Sequence, residues 1–218
     1  MTSSTFRRFA RQLAGLATVL VLVGCDGFPG SAPTSMATAD GAVVVAGPPG
    51  FCIDPEASHA GDTGAFVLLG SCASISGALD GQHPDLRAVL TAAVSVGTSG
   101  GSIEGSEKQL GAFFRSPEGR RALSRSGKAE TVKVLGITHS DGVLILHARD
   151  TSAFPGQAVS PDYWRALFDL NGHIVTLSVI SVPQAPFTDA SGLRALERFV
   201  GQVRAASPAP ATTPAPLG

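Results

Sequence analysis

The chain has 218 residues, of which 16 are Lys or Arg and 17 are Asp or Glu, so its formal net charge is −1 at neutral pH. This length suits one domain with appendages, and an apolar content of 44% excludes a wholly disordered chain. A balanced charge excludes the clustered positive footprint of a nucleic-acid-binding protein, so we expect no nucleic-acid partner.

The N-terminal segment has the pattern of an export signal. Arg7, Arg8 and Arg11 precede an uncharged stretch, Leu13–Gly24. As a helix this stretch would span about 18 Å, shorter than the ~30 Å hydrocarbon core of a bilayer. We therefore predict a signal peptide over residues 1–24 rather than a membrane-spanning helix. Without it, 194 residues carry 13 basic and 17 acidic side chains, a net charge of −4.

The end of the stretch, Leu22-Val23-Gly24-Cys25, resembles the lipobox of bacterial lipoproteins. The resemblance implies cleavage after Gly24 and a diacylglyceryl group on Cys25, whose burial stabilises the membrane-bound state by about 0.8 kcal/mol per CH₂. An aspartate at Asp26 resembles the signal that retains enteric lipoproteins in the inner membrane. We therefore expect a lipid anchor in the inner membrane, facing the periplasm, with the outer membrane as the alternative.

The rest of the chain is predicted to form a linker, one domain and a tail. Residues 25–41 are rich in small residues, which predicts a flexible linker with a reach of roughly 22 Å. Residues 206–218 form a Pro/Ala-rich run, which predicts a disordered tail. Residues 42–205 remain between them and are enough for a single hydrophobic core.

Two β-hairpins are predicted from two-residue turns. Asn171-Gly172 suits a type I′ turn that sets Trp164 opposite Val179 and Phe168 opposite Val175. One face of this hairpin is then apolar, as in a sheet that is covered mainly on one side.

Asp141-Gly142 predicts the second hairpin in the same way. Its register sets Ile137 opposite Leu146 and Leu135 opposite Ala148. It also sets Lys133 opposite Asp150, an opposite-charge pair that favours the register.

The remaining elements are short strands near residues 42–46, 51–53, 65–70 and 89–96, and three helices. Ser106 and Gln109 form a capping box that opens a helix at Glu107–Arg115, and Ser116-Pro117 opens a second one. An apolar stripe from Leu193 to Val203 predicts a helix from about Asp189 to Ala205. The sum predicts an α+β fold: a largely antiparallel sheet, a central helical pair and a C-terminal helix packed on the sheet.

The last 75 residues or so, with the segments NGHIVTLSVI and GLRALERFV, resemble the PsbP/Mog1-like α/β/α sandwich. That family holds adaptors and assembly factors, mostly without catalysis, and no site residue transfers to this chain. The element order also resembles that of alphaproteobacterial periplasmic lipoproteins, which implies no activity.

Cys52 and Cys72 are an even pair in an exported chain once Cys25 is lipidated. Because the periplasm is oxidising, we predict a disulfide between them, worth about 3 kcal/mol in the chain-entropy model. A redox-active pair is disfavoured because there is no C-x-x-C spacing. Zinc is disfavoured because two thiols lack partner ligands.

Two loops could carry chemistry. Gly97–Gly101 matches G-x-S-x-G, with Ser99 as a nucleophile and Asp150 or Asp169 with His173 completing a triad. However, no helix begins directly after the serine, as a nucleophile elbow requires. The acidic loop Asp54–Asp62 offers oxygen ligands for a hard cation but matches no EF-hand.

We therefore expect no catalytic residue, no metal site and no cofactor. The expected function is non-catalytic: a membrane-tethered periplasmic domain that binds a partner protein of the cell envelope. The alternative is a small periplasmic hydrolase that uses the Ser99 loop, or a metal in the Asp54–Asp62 loop.

Overall fold

An antiparallel sheet of eight strands organises the computed structural model, which describes residues 32–78, 83–97, 102–152 and 159–209. In chain order the elements are β1 (Ser35–Thr38), β2 (Val43–Ala46), β3 (Phe51–Ile53), β4 (His59–Gly61), β5 (Gly64–Ser71), α1 (Cys72–Ser76), β6 (Ala88–Val94), α2 (Glu107–Arg115), α3 (Pro117–Leu123), β7 (Val132–Ser140), β8 (Val143–Asp150), β9 (Asp162–Leu170), β10 (His173–Ser181) and α4 (Asp189–Ala206).

The strand order across the sheet is β3-β5-β6-β10-β9-β8-β7, and β4 lies beside β3 on the same edge of β5. Every pairing is antiparallel, so β3 and β7 form the two opposite edges. β1 and β2 form a separate two-stranded sheet. The predicted α+β class with an antiparallel sheet and a C-terminal helix is confirmed.

The first face of the sheet carries the main core, beneath α4 and the β1–β2 hairpin. Leu196 and Phe199 of α4 are fully buried against Phe168 and Leu177 of the sheet. Fully burying one such side chain contributes roughly 1.5–3 kcal/mol, so this face supplies much of the stability. The apolar stripe predicted for the C-terminal helix therefore docks on the sheet as expected.

The second face is covered by the α2–α3 pair over β7, β8 and β9. Phe114 of α2 and Leu123 of α3 are buried against Leu144, Leu146 and Tyr163. The sheet thus lies between two layers. α2 and α3 sit over its β7 half, which places their outer surfaces next to the β7 edge.

The hairpin register is correct for one predicted turn and partly wrong for the other. Phe168 faces Val175 and Trp164 faces Val179, as Asn171-Gly172 requires. At the other turn Ile137 faces Leu146, but a bulge between Val134 and Gly136 shifts all pairs beyond it.

The predicted pairs of Leu135 with Ala148 and Lys133 with Asp150 are therefore wrong. Val134 faces Ala148, Lys133 faces Arg149, and the extra residue, Leu135, is left exposed. A bulge puts two residues of one strand opposite a single residue of its partner, so one residue drops out of the alternation.

Three further differences concern local structure. β1 lies inside the predicted linker 25–41, so the folded part begins before residue 42. Ser106 precedes α2, but its side chain makes no capping hydrogen bond. At the other end, Asn171 donates to the carbonyl of Pro208 at 2.8 Å, so ordered contacts extend just beyond Ala206.

No helix in the described part of the chain is long and apolar enough to cross a bilayer. Cys25 and the predicted signal peptide lie outside the described residues, as does most of the predicted tail.

Candidate functional site

Cys52 and Cys72 form a disulfide, with their Cα atoms 4.7 Å apart. Cys52 is buried in edge strand β3 and Cys72 is the first residue of α1, so the bridge ties that helix to the edge of the sheet. Because both sulfur atoms are in the disulfide, neither cysteine offers a free thiol for metal binding or redox chemistry.

The acidic loop inside the disulfide is organised by its own backbone. Asp54 Oδ1 accepts hydrogen bonds from the backbone N–H groups of Glu56 and Ala57, at 2.9 and 3.1 Å. His59 begins β4, a strand that the sequence did not predict. Among the described residues, no group of three or more His, Cys, Asp or Glu side chains is placed to hold a metal ion.

Ser99 lies outside the described residues, but both ends of its loop are held by Asp169 and His173, the candidate acid and base of the disfavoured triad. Asp169 Oδ2 accepts hydrogen bonds from the Ser102 hydroxyl and from the backbone N–H groups of Ile103 and Glu104, at 2.8 and 3.1 Å for the latter two. These bonds fasten the C-terminal end of the loop to β9.

His173 fastens the other end. Its Nδ1 lies 2.8 Å from the Ser95 carbonyl oxygen and 3.1 Å from the backbone nitrogen of Gly97. One nitrogen cannot donate to the first and accept from the second at the same time, so the tautomer decides which bond forms. In either case Nδ1 is used to position the backbone.

The register of the sheet separates both candidate acids from His173. Asp169 pairs with Ile174 and His173 pairs with Leu170, so the two side chains point to opposite faces. Asp150 ends β8 at the other end of the strands, seven residues beyond Val143, which is about 23 Å. Neither acid can orient His173, so the structure supports neither form of the candidate triad, which the sequence had already disfavoured.

A pocket of about 610 Å³ opens at this end of the sheet, between the β1–β2 turn and the β4–β5 turn. His173 and the carboxylates of Asp40 and Asp62 contribute to its lining. Ala39 and Asp40 have φ values of 50° and 53°, the left-handed region that residues with a side chain rarely adopt. The pocket has polar walls, but no described side chain in it forms a nucleophile–base pair.

His139 and His147 lie on β7 and β8, apart from these loops. His139 is exposed on β7, whereas His147 is buried and stacks on the Trp164 ring at 4.2 Å between centroids. His147 Nε2 is 3.8 Å from a carboxylate oxygen of Asp189 at the start of α4. His147 is buried because β8 is an internal strand, between β7 and β9.

Asp150 is the most strongly held carboxylate of the described chain. Its side chain is fully buried and accepts hydrogen bonds from the Arg125 backbone N–H at 2.7 Å and the Ser152 hydroxyl at 2.7 Å. The Arg125 Nε lies 3.2 Å away. Burial raises the pKa of Asp150, but the hydrogen bonds from Arg125, Ser152 and Thr131 outweigh it and lower the pKa to about 2.

This carboxylate should make folding depend on pH. Because its folded-state pKa of about 2 lies below the unfolded value of 3.8, its contribution is full above about pH 4 and disappears towards pH 2. We expect Asp150→Asn to lower the free energy of unfolding by about 2 kcal/mol at pH 7, from the size of the shift. Urea unfolding at pH 7, 4 and 2.5 measures the difference, which should shrink at the lowest pH.

The matched control is Asp162→Asn, which removes the exposed ion pair with Arg149 (2.9 Å). Its effect should be much smaller, since exposed ion pairs contribute little. Equal losses for the two variants would contradict the role given to burial at Asp150.

One segment of the sequence carries most of the positive charge of residues 25–218. The segment Glu107–Leu135, which contains α2, α3 and the start of β7, has seven basic and three acidic side chains, a net charge of +4. The rest of residues 25–218 has six basic and fourteen acidic side chains, a net charge of −8. We call the outer face of this segment the cationic surface. A sliding-window count of charged residues along the sequence would have found this basic segment. The near-zero net charge of the whole chain conceals it.

A groove of about 410 Å³ runs across the cationic surface at the β7 edge. It is lined by Arg115 at the end of α2, Arg120 of α3, Glu130, and residues 132–134 of β7. Arg120 Nη1 donates to the Arg115 carbonyl oxygen at 2.6 Å, and Arg115 Nη1 donates to the Gly111 carbonyl oxygen at 3.1 Å.

The cations of this groove are not neutralised by neighbours. Within the described ranges, salt bridges shorter than 4 Å involve Arg125, Arg149 and His147, but not Arg115, Arg120 or Lys133. These three side chains therefore keep an attraction for an external anion.

No protein-family model matches the chain, and no curated protein matches its sequence. The fold is similar to the solution structure of cyanobacterial PsbP (CyanoP) from Synechocystis sp. PCC 6803, with a TM-score of 0.45 and 11% sequence identity. The similarity covers 84% of this chain and 96% of that chain.

Proposed function

We propose that this protein is a lipid-anchored, non-catalytic binding domain of the bacterial cell envelope, held at the periplasmic face of the inner membrane. The anchor is Cys25, at the end of a signal peptide with the lipobox pattern. The disulfide of Cys52 and Cys72 supports export, because such bonds persist in oxidising compartments and are rare in the cytosol.

The proposal that the domain is non-catalytic rests on the contacts of Asp169 and His173. Both side chains hold backbone at the two ends of one loop, and they lie on opposite faces of the sheet. A catalytic triad needs its acid within hydrogen-bond reach of the histidine that it orients. Asp169 and His173 are not in contact with each other and hold backbone groups of the loop instead.

The anchor is tested with the full chain expressed in a bacterium. We expect the unmodified protein in the membrane fraction, with the mass of an acylated, processed chain. Cys25→Ser should give an unprocessed precursor or a soluble protein without acyl mass. The double variant Cys52→Ser/Cys72→Ser is the matched control, and it should remain acylated.

Unmodified protein found entirely in the soluble periplasm would contradict the anchor. Density-gradient separation of the two membranes then distinguishes the inner-membrane location from the outer one. Co-purification from detergent-solubilised membranes identifies the partner that a binding domain requires.

A further inference from the structure

The cationic surface lies at the edge of the sheet farthest from the point where the chain enters the fold. The Ile53 backbone N–H donates to the Pro33 carbonyl at 2.7 Å, so the chain arrives beside β3. β7 is the opposite edge, six strand spacings away, or about 29 Å. The cationic surface and the point where the chain enters the fold therefore lie at opposite edges of the sheet.

We propose that the α3–β7 groove of the cationic surface binds an acidic, extended segment of a partner protein. The proposal deepens the proposed function by naming the chemistry of the partner, and it rests on that function for the position of the membrane. Its first support is charge: Arg115, Arg120 and Lys133 line an open groove that contains one carboxylate, Glu130.

The small free energy of each surface ion pair favours a ligand with several carboxylates. One exposed pair contributes about 0.2–1 kcal/mol, too little to hold a small anion. Several carboxylates on one segment contact several cations at once, and the contacts after the first are then intramolecular. Val132 and Val134 of β7 also line the groove and offer apolar contacts beside the charged residues.

The distance between the groove and the lipid anchor favours a protein, rather than the membrane surface, as the ligand of the groove. At physiological ionic strength, electrostatic attraction decays over about 8 Å. With the β3 edge nearest the bilayer, the groove lies several such lengths away from anionic headgroups. A partner in the periplasm can reach the groove from the opposite side.

Binding of a fluorescent 20-residue poly-L-glutamate to the full chain in non-ionic detergent tests the proposal. We expect measurable binding to the unmodified chain and at least tenfold weaker binding to Arg115→Glu/Arg120→Glu/Lys133→Glu. The matched control changes net charge equally at exposed positions elsewhere: Arg87→Glu/Arg194→Glu/Arg198→Glu. It should bind within about threefold of the unmodified chain.

Arg115→Lys/Arg120→Lys keeps the charge and should retain binding, which separates charge from folding. Three results would overturn the proposal: no binding to the unmodified chain, equal weakening by both triple variants, or unchanged binding by the groove variant. Mixed micelles of the detergent and phosphatidylglycerol test whether an anionic lipid competes with the peptide for the groove. Displacement of the peptide by these micelles, but not by phosphatidylcholine micelles, would assign the groove to membrane lipid instead. The assay needs no acyl group, so its failure is distinct from failure of the Cys25 anchor.

Discussion

Cys52→Ala/Cys72→Ala should lower the free energy of unfolding by about 3 kcal/mol, because the bridge closes a loop with a sequence separation of 20. The open chain gains conformational entropy when unfolded, and α1 loses its covalent link to edge strand β3. This is a large fraction of the 5–15 kcal/mol that typically stabilises a domain.

Urea unfolding with and without reductant measures the effect. The unmodified chain should unfold at a lower urea concentration in reductant, and the double variant should unfold at the same concentration in both conditions. If reductant exposes two titratable thiols without shifting the unfolding midpoint of the unmodified chain, the stabilising role of the bridge is disproved.

Gly119→Ala should destabilise the protein by about 3 kcal/mol through a clash between α2 and α3. A Cβ atom at Gly119 would overlap the Phe113 carbonyl oxygen and lie 2.6 Å from Cα of Phe114. Both are backbone atoms, so rotamer changes cannot relieve the overlap and the helices must separate. Separation would loosen Phe114 and Leu123, which are buried beneath the pair.

The matched control is Gly201→Ala in the interior of α4, where a Cβ atom meets nothing within 4 Å. This change should stabilise the protein by roughly 0.5–1 kcal/mol, because alanine loses less backbone entropy than glycine in a helix. Chemical denaturation of both variants checks the pair. A Gly119→Ala variant as stable as the unmodified chain would show that α2 and α3 do not pack as described.

The sequence by itself determined the features that depend on neighbouring residues. The register around Asn171-Gly172 was predictable because a two-residue turn with two positive φ angles fixes which residues face each other. The bounds of α2 followed from the capping-box pattern at Ser106 and from Ser116-Pro117, and the docking stripe of α4 followed from helical periodicity. The pairing of Cys52 with Cys72 followed from the number of cysteines and the predicted export signal.

The tertiary structure decided the features that depend on distant segments. The bulge at Leu135 displaced Lys133 from Asp150, and the buried carboxylate is bound by Arg125 from the α3–β7 connection. β1 formed inside the predicted linker because β2 pairs with it, although Ser35–Thr38 has no strand pattern of its own.

The candidate site divides in the same way. Asp169 and His173 were identifiable as polar residues beside a turn, but their opposite faces and loop contacts require the register of three strands. The position of the cationic surface in the fold could be assigned only once the two edge strands of the sheet were known. Charge is a property of the sequence, whereas the separation of the β7 edge from the entry of the chain at β3 is set by the strand order.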